Sequence, residues 1–151
     1  MEVYQATFTD LEEVAKLFDL YRMFYQQPSN LKAAEKFIHE RFEQHESIIF
    51  VAVEDGKYFG FTQLYPSFSS VSMKRLWILN DLYVIEEARN KGVGKKLLEA
   101  AKQMAKETGA KGLNLQTAFN NFSAQSLYEK DGWMKDEQFF TYVFPIEEEK
   151  N

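Results

Sequence analysis

Hydrophobic positions along the chain follow two periods, and the longer period marks four predicted helices. Six apolar residues recur every three or four positions after a capping Thr9 or Asp10, as on one face of an amphipathic helix. They are Leu11, Val14, Leu17, Phe18, Tyr21 and Tyr25. The same spacing predicts helices over Leu31 to His45, Lys91 to Glu107 and Asn121 to Lys130.

Shorter β-branched and aromatic runs predict strands between these helices. A first strand is expected over Val3 to Phe8, and Ile48 to Val53 should pair with Tyr58 to Tyr65 through the turn at residues 54–57. A Ser-rich turn over Pro66 to Ser72 should then precede a long strand. This long strand is expected over Arg75 to Val84. Two further extended segments are expected over Leu113 to Thr117 and Trp133 to Phe144. We expect one mixed α/β domain over residues 1–146 and a charged tail over residues 147–151.

Charge and composition exclude several classes of function. The formal net charge is -5, which argues against a nucleic-acid surface because such binding depends on cations that neutralise phosphates. The chain has no cysteine, so a disulfide, a thiolate metal site and a cysteine nucleophile are all excluded. No apolar run approaches the roughly 20 residues that a membrane span requires. With no signal pattern at the N-terminus, we expect a cytoplasmic protein that has no metal, nucleic-acid or membrane partner.

The segment from Asp81 to Leu98 carries the clearest candidate chemistry. It is predicted to be a strand, a glycine-containing loop and a helix in direct succession, and a helix N-terminus after such a loop binds phosphate groups well. The loop reads Arg-x-x-Gly-x-Gly from Arg89 to Gly94. It lacks the Ser or Thr of a P-loop and the third glycine of a dinucleotide-binding motif. A basic turn that only caps the helix is the alternative.

Two motifs together resemble the GNAT superfamily of acetyl-CoA-dependent N-acetyltransferases. The loop from Arg89 to Gly94 is similar to the pyrophosphate loop of that family, and Asn121 to Gly132 is similar to its later Asn-x-x-Ala helix. The hairpin from Glu54 to Phe61, with Gly60 in its second strand, adds to the likeness. The resemblance implies a mostly antiparallel central sheet with a splayed parallel strand pair, flanked by helices.

The resemblance also assigns the residues that hold acetyl-CoA. The free edge of the strand before the loop would pair with the pantetheine arm, the loop would bind the pyrophosphate, and the later helix would add Asn121 and Tyr128. The full set comprises Leu82, Tyr83, Val84, Arg89, Asn90, Lys91, Gly92, Val93, Gly94, Lys95, Asn121 and Tyr128.

Two side chains are candidates for the proton transfers. Tyr128 occupies the position of the tyrosine that protonates the departing thiolate in the family, and packing in its helix is the alternative. Asp81, just before the loop, is a candidate base acting through water or a clamp on an ammonium group; a purely structural hydrogen bond is the alternative. Several family members carry a glutamate where this chain has Asn80, so the base stays unassigned.

The acceptor is expected to be a small primary amine. Tyr21, Tyr25, Tyr65 and Trp77, with Asp81, are candidate walls for an alkylammonium group, and core packing is the favoured alternative for most of these rings. The segment from Arg75 to Val84 loosely resembles the polyamine and diamine acetyltransferases. A protein N-terminus or lysine as acceptor, and a CoA-binding module without turnover, are the alternatives. The aromatic segment Phe139 to Phe144 is a candidate contact for a homodimer.

Overall fold

Five strands and four α-helices make up the part of the chain that the computed structural model describes, residues 1–147. The strands are β1 (Glu2–Gln5), β2 (Ile48–Glu54), β3 (Lys57–Ser69), β4 (Lys74–Val84) and β5 (Leu113–Asn114). The helices are α1 (Leu11–Phe24), α2 (Leu31–Glu43), α3 (Val93–Glu107) and α4 (Phe122–Lys130). The chain divides into two compact units, one from Met1 to Gln116 and one that begins at Thr117 and contains α4. The single domain expected over residues 1–146 stays a prediction.

The first unit is built on one mixed sheet with the strand order β1-β2-β3-β4-β5. β1 to β4 are antiparallel neighbours, whereas β4 and β5 are parallel, which confirms the predicted fold class. β5 pairs with β4 only through Trp77 and Ile78. Beyond that point, Leu79 to Val84 have no partner on the β5 side within the described residues, so the sheet opens there.

Helices cover both faces of this sheet. Neighbouring residues of a strand point to opposite faces, and Gly60 and Phe61 of β3 show which helix lies on which face. The Phe61 ring meets Phe18 and Tyr21 of α1 at centroid distances of 6.4 and 5.9 Å. A side chain at Gly60 would instead point toward Leu97 of α3. α1 therefore covers one face and α3 the other.

The absence of a side chain at Gly60 lets β3 lie close to β4. A Cβ atom at this position would stand 2.6 Å from the Tyr83 carbonyl oxygen and 3.3 Å from the Val84 Cα. We expect Gly60→Ala to lower the free energy of unfolding by about 1–3 kcal/mol, because the backbone of β4 would have to shift. Urea unfolding measures this loss. Gly112→Ala is the matched control, since nothing lies within 4 Å of a Cβ there; equal losses in the two variants would contradict the argument.

Several element boundaries differ from the predictions. The prediction of a Ser-rich turn over Pro66 to Ser72 is wrong in its first half, because residues 66–69 continue β3 and pair with β4. The pattern of small and polar residues there reflects an exposed hairpin and not the turn itself. β1 ends at Gln5, and the expected strand end at Phe8 is instead the start of a 3-10 turn. β5 is also shorter than expected and ends at Asn114.

The C-terminal segment departs furthest from its prediction. The structure shows no strand between Trp133 and Phe144, and aromatic side chains of this segment such as Phe140 and Tyr142 are 90% and 93% exposed. An apolar pattern indicates which face a strand would bury, but a strand also needs a neighbour to pair with. The homodimer contact assigned to this segment stays a prediction. Residues 148–151 of the expected charged tail lie outside the described residues.

Residues 1–147 contain no helix with both the length and the apolar character needed to cross a bilayer.

Candidate active site

A β-bulge in β4 sets the direction of the central carboxylate. Gln63 of β3 pairs with Asp81, and the next residue, Leu64, pairs with Leu79, which leaves Asn80 as an extra residue in β4. Because Gln63 and Leu64 point to opposite faces, their partners do as well. The bulge therefore places the Asp81 side chain on the face that α1 covers, together with Gln63.

Asp81 is a buried carboxylate held by neutral donors. Only 3% of the surface of this residue is exposed. The Gln63 amide donates a hydrogen bond to Oδ2 at 2.6 Å, and the Asn80 amide donates to Oδ1 at 3.0 Å. Burial raises the pKa of the Asp81 carboxyl above its ordinary value, while hydrogen bonds from Gln63, Asn80 and Tyr21 oppose the rise. A carboxylate whose pKa is raised by burial is a better proton acceptor than an exposed aspartate.

Tyr21 and Tyr65 lie near Asp81, and Tyr25 lies beside Tyr21. The Tyr21 hydroxyl of α1 donates to the Asn80 carbonyl oxygen at 3.3 Å, and the Tyr21 ring lies 5.0 Å from that of Tyr25 and 6.3 Å from that of Tyr83. Burial and the nearby charge of Asp81 raise the pKa of Tyr65 to about 12, so this phenol stays protonated. Three of the four predicted acceptor rings, Tyr21, Tyr25 and Tyr65, thus belong to one neighbourhood.

Trp77 does not join these rings. Its side chain is buried, and its indole N–H donates at 2.9 Å to the Thr108 hydroxyl at the end of α3. α3 lies on the opposite face of the sheet from α1, so Trp77 packs away from Asp81. We therefore do not include Trp77 in the acceptor site.

The loop after β4 forms an anion-binding geometry at the start of α3. Asn90 and Gly92 have φ angles of 62° and 80°, and these left-handed residues turn the chain into the helix. No side chain of the described residues caps α3, and its first turn contains Lys95 and Lys96 but no acidic residue. Two cations beside the positive end of a helix dipole are unfavourable unless an anion joins them. The phosphate site predicted for this turn stays a prediction, and the charges of the turn are compatible with it.

Arg89 links the loop to the strand that precedes it. Its Nε donates to the Val84 carbonyl oxygen at 3.0 Å, and its guanidinium lies 5.6 Å from the ring centre of Tyr83 and 5.7 Å from that of Phe24. The side chain therefore braces the end of β4 in addition to bringing a positive charge to the loop. Leu82, Tyr83 and Val84 lie along the part of β4 that β5 leaves open.

The second unit contains the two remaining predicted residues. Asn121 begins α4 as its N-cap, and its side-chain oxygen accepts a hydrogen bond from the Ala124 amide at 3.2 Å. The ring of Tyr128 lies 6.0 Å from that of Trp133. Asn121 thus has a structural role, as the N-cap of α4, that the sequence analysis did not assign. The catalytic and cofactor roles of both residues stay predictions.

Comparison with known proteins identifies the family. The model of the acetyltransferase (GNAT) family matches residues 14–133 of this chain. The chain belongs to that family. A crystal structure of a probable acetyltransferase matches this GNAT acetyltransferase with a TM-score of 0.93 and 46% identity, covering 99% of this chain and 100% of the other.

Two relatives carry names that agree with this family. The uncharacterized N-acetyltransferase YhfO of Bacillus subtilis is 53% identical over 146 residues, which is 97% of this chain and 98% of the relative. The D-amino-acid N-acetyltransferase HPA3 of Saccharomyces cerevisiae is 36% identical over 87 residues, 58% of this chain and 54% of the relative. The protein is accordingly a GNAT N-acetyltransferase, and enzymes of this family use acetyl-CoA as co-substrate.

Gln63 and Ser47 of this GNAT acetyltransferase were missed by the sequence analysis. Gln63 is fully buried, and its Oε1 accepts a hydrogen bond from the Ser47 hydroxyl at 2.8 Å. The neighbouring Thr62, also fully buried, donates to the Asp81 carbonyl oxygen at 2.8 Å. One signal was available: two adjacent polar residues inside an apolar strand need buried partners.

A surface cavity of about 460 Å³ in the acetyltransferase lies apart from these residues. Its walls come from α1, the turn between β2 and β3, and the segment after β4. None of the residues grouped around Asp81 lines it. The cavity is therefore separate from the group of side chains around Asp81.

Proposed function

We propose that this GNAT acetyltransferase transfers an acetyl group from acetyl-CoA to the primary amine of a small molecule of the polyamine or diamine type. The observation that carries the proposal is the buried Asp81 carboxylate beside Tyr21 and Tyr65. A carboxylate with aromatic faces attracts an alkylammonium group, through its charge and through cation–π contact. The same carboxylate then accepts the proton that the amine must lose.

The open edge of β4 and the start of α3 fit the two parts of acetyl-CoA. The amide-rich pantetheine arm suits the backbone groups of Leu82, Tyr83 and Val84, much as an added strand would. The pyrophosphate suits the uncapped turn from Arg89 to Lys95, which offers amides and cations. When bound, acetyl-CoA supplies the thioester from which the acetyl group is transferred. Asn121 is proposed to contact the arm as well.

The protein side chains divide the proton transfers between them. Asp81 holds the ammonium group and takes its proton, either directly or through water, so that the nitrogen lone pair is free for attack on the thioester carbonyl. A backbone N–H of Leu82 or Val84 stabilises the negative charge on the carbonyl oxygen. As the C–S bond breaks, Tyr128 donates a proton to the departing sulfur, and the second proton of the attacking nitrogen restores the Tyr128 hydroxyl. Transfer is direct, in a complex that contains both substrates, and no covalent enzyme intermediate is required.

The relative HPA3 supports a small amine as acceptor. That relative is named as a D-amino-acid N-acetyltransferase, and amino acids are small primary amines. We also propose the cytoplasm as the compartment, because a chain without cysteine is compatible with reducing conditions.

A panel of amines tests the proposed acceptor class. Thiol release from acetyl-CoA would be measured with diamines, polyamines, D- and L-amino acids, a peptide with a free N-terminus and a lysine peptide. We expect saturable release with the small amines and the highest kcat/KM for a diamine or polyamine. Release with peptides alone would show a protein acetyltransferase. Tight acetyl-CoA binding with no release for any amine would show a binding module.

The role of Tyr128 predicts a moderate kinetic effect. We expect Tyr128→Phe to lower kcat about tenfold without weakening acetyl-CoA binding, because a thiol near pKa 8.5 leaves fairly well even without an acid. Steady-state kinetics and calorimetry with acetyl-CoA measure the two quantities. Tyr142→Phe, at an exposed position of the same unit, is the control. An unchanged kcat in Tyr128→Phe would remove the assigned role.

A further inference from the structure

Asp81 is held in position without a cationic partner. Within residues 1–147, no Lys, Arg or His side chain forms an ion pair with Asp81 or hydrogen-bonds to it. The titratable groups that face it are the phenols of Tyr21 from α1 and Tyr65 from β3, while Arg41 and Glu46 act on Tyr65 from the region of α2. Its carboxylate therefore depends on neutral hydrogen-bond donors.

Gln63 is the best placed of these donors. It lies directly opposite Asp81 across the β3–β4 ladder and has no exposed surface. Its Nε2–Oδ2 distance of 2.6 Å is shorter than the 3.0 Å between the Asn80 amide and Oδ1. A short bond to a charged acceptor inside the protein favours the charged form of that acceptor.

Ser47 fixes which end of the Gln63 amide faces the carboxylate. An amide turned by 180° would present its oxygen to Asp81, and two acceptors would then repel each other. The Ser47 hydroxyl donates to Oε1 of Gln63 at 2.8 Å, so the NH₂ group is left for Asp81. Ser47, which immediately precedes β2, is thus connected to Asp81 on β4 through one side chain of β3.

We propose that Gln63, oriented by Ser47, is a positioning residue for Asp81: it aims the carboxylate at the acceptor amine and favours its ionised form. This inference rests on the proposed role of Asp81 in acetyl transfer. Gln63 has no exposed surface and therefore acts only through Asp81. The consequence is that loss of the amide donor makes Asp81 harder to ionise.

The pH dependence of two variants tests the proposal. Gln63→Met keeps the length of the side chain and removes the donor, and Ser47→Ala frees the amide to turn. We expect Gln63→Met to move the acidic limb of kcat/KM upward by about one pH unit, since a hydrogen bond to a charged group changes the ionisation equilibrium at least about tenfold. Ser47→Ala should move it in the same direction by a few tenths of a unit. Gln103→Met, at an exposed position of α3, is the matched control.

A direct titration separates this proposal from the proposed function. The midpoint of Asp81 would be followed by carbon-13 NMR of aspartate-labelled protein, with the signal assigned by its loss in Asp81→Asn. An unchanged midpoint in Gln63→Met overturns the role of Gln63. A midpoint that rises while the acidic limb of the rate stays in place overturns the role of Asp81 in catalysis instead. If Gln63→Met does not fold, the midpoint of Ser47→Ala decides, and its constancy overturns the proposal.

Discussion

Replacement of Asp81 by asparagine is expected to lower kcat at least about 100-fold, the usual contribution of a positioned general base. Asparagine has nearly the same shape and can still accept the hydrogen bond from the Gln63 amide, but it neither attracts an ammonium group nor takes its proton. The fold and the binding of acetyl-CoA should be retained. Steady-state assays of thiol release, with the best amine of the panel, measure the decrease in kcat.

The same substitution should not reduce stability at neutral pH. Because burial raises the pKa of Asp81, its contribution to stability is present below the pKa of the unfolded chain and is lost as the pH rises through the folded value. Above the folded pKa the ionised carboxylate therefore costs stability. Asp81→Asn removes this cost but leaves one of the amide donors of Gln63 and Asn80 without an acceptor, so its urea midpoint should stay close to that of the parent. Asp55→Asn, on the exposed β2–β3 turn, is the control. A kcat within about threefold of the parent would reduce Asp81 to a structural role.

Charge reversal at Lys95 is expected to weaken acetyl-CoA binding about 100-fold. The substitution Lys95→Glu removes a charge-assisted contact to the pyrophosphate, worth about 3 kcal/mol, and 1.4 kcal/mol corresponds to a factor of ten. The stability of the unliganded protein should instead increase. A carboxylate in the first turn of α3 interacts well with the helix dipole and should add about 0.3–1 kcal/mol to stability.

Lys106→Glu is the matched control for this pair of effects. Lys106 lies in the last turn of the same helix, where a carboxylate opposes the dipole, so this variant should lose stability and keep its affinity for acetyl-CoA. Calorimetry at two salt concentrations and thermal unfolding measure both quantities. Equal affinities of Lys95→Glu and the parent would show that the turn only begins a helix and does not bind the pyrophosphate.

Local features of this protein were predictable from the sequence because they depend on neighbours along the chain. The helical spacing before Tyr25 predicted α1 almost to its last residue, and the Arg-x-x-Gly-x-Gly loop predicted the junction between β4 and α3. Left-handed residues, an uncapped helix start and lysines in its first turn are all properties of one short segment. The GNAT family and the mixed sheet followed from two such segments taken together.

Features that depend on pairing between distant strands were not predictable in the same way. The extra residue at Asn80 shows only in the register of β3 against β4, and this register decides that Asp81 faces α1. Trp77 was grouped with Tyr65 because both are aromatic, although the ladder and Thr108 place it on the other face. Gln63 and Ser47 are 16 residues apart, and nothing local connects them.

The extra residue in β4 also affects how this strand is compared with those of other acetyltransferases. In a regular ladder, Leu79 and Asp81 would point to the same face because they are two residues apart. The extra residue at Asn80 places them on opposite faces, so a shift of one position in an alignment exchanges the α1 side for the α3 side. For a relative whose strand lacks the extra residue, an alignment without a gap at Asn80 would equate Asp81 with a side chain directed at the opposite layer. Gap placement at this one position therefore decides whether a relative is judged to share the carboxylate.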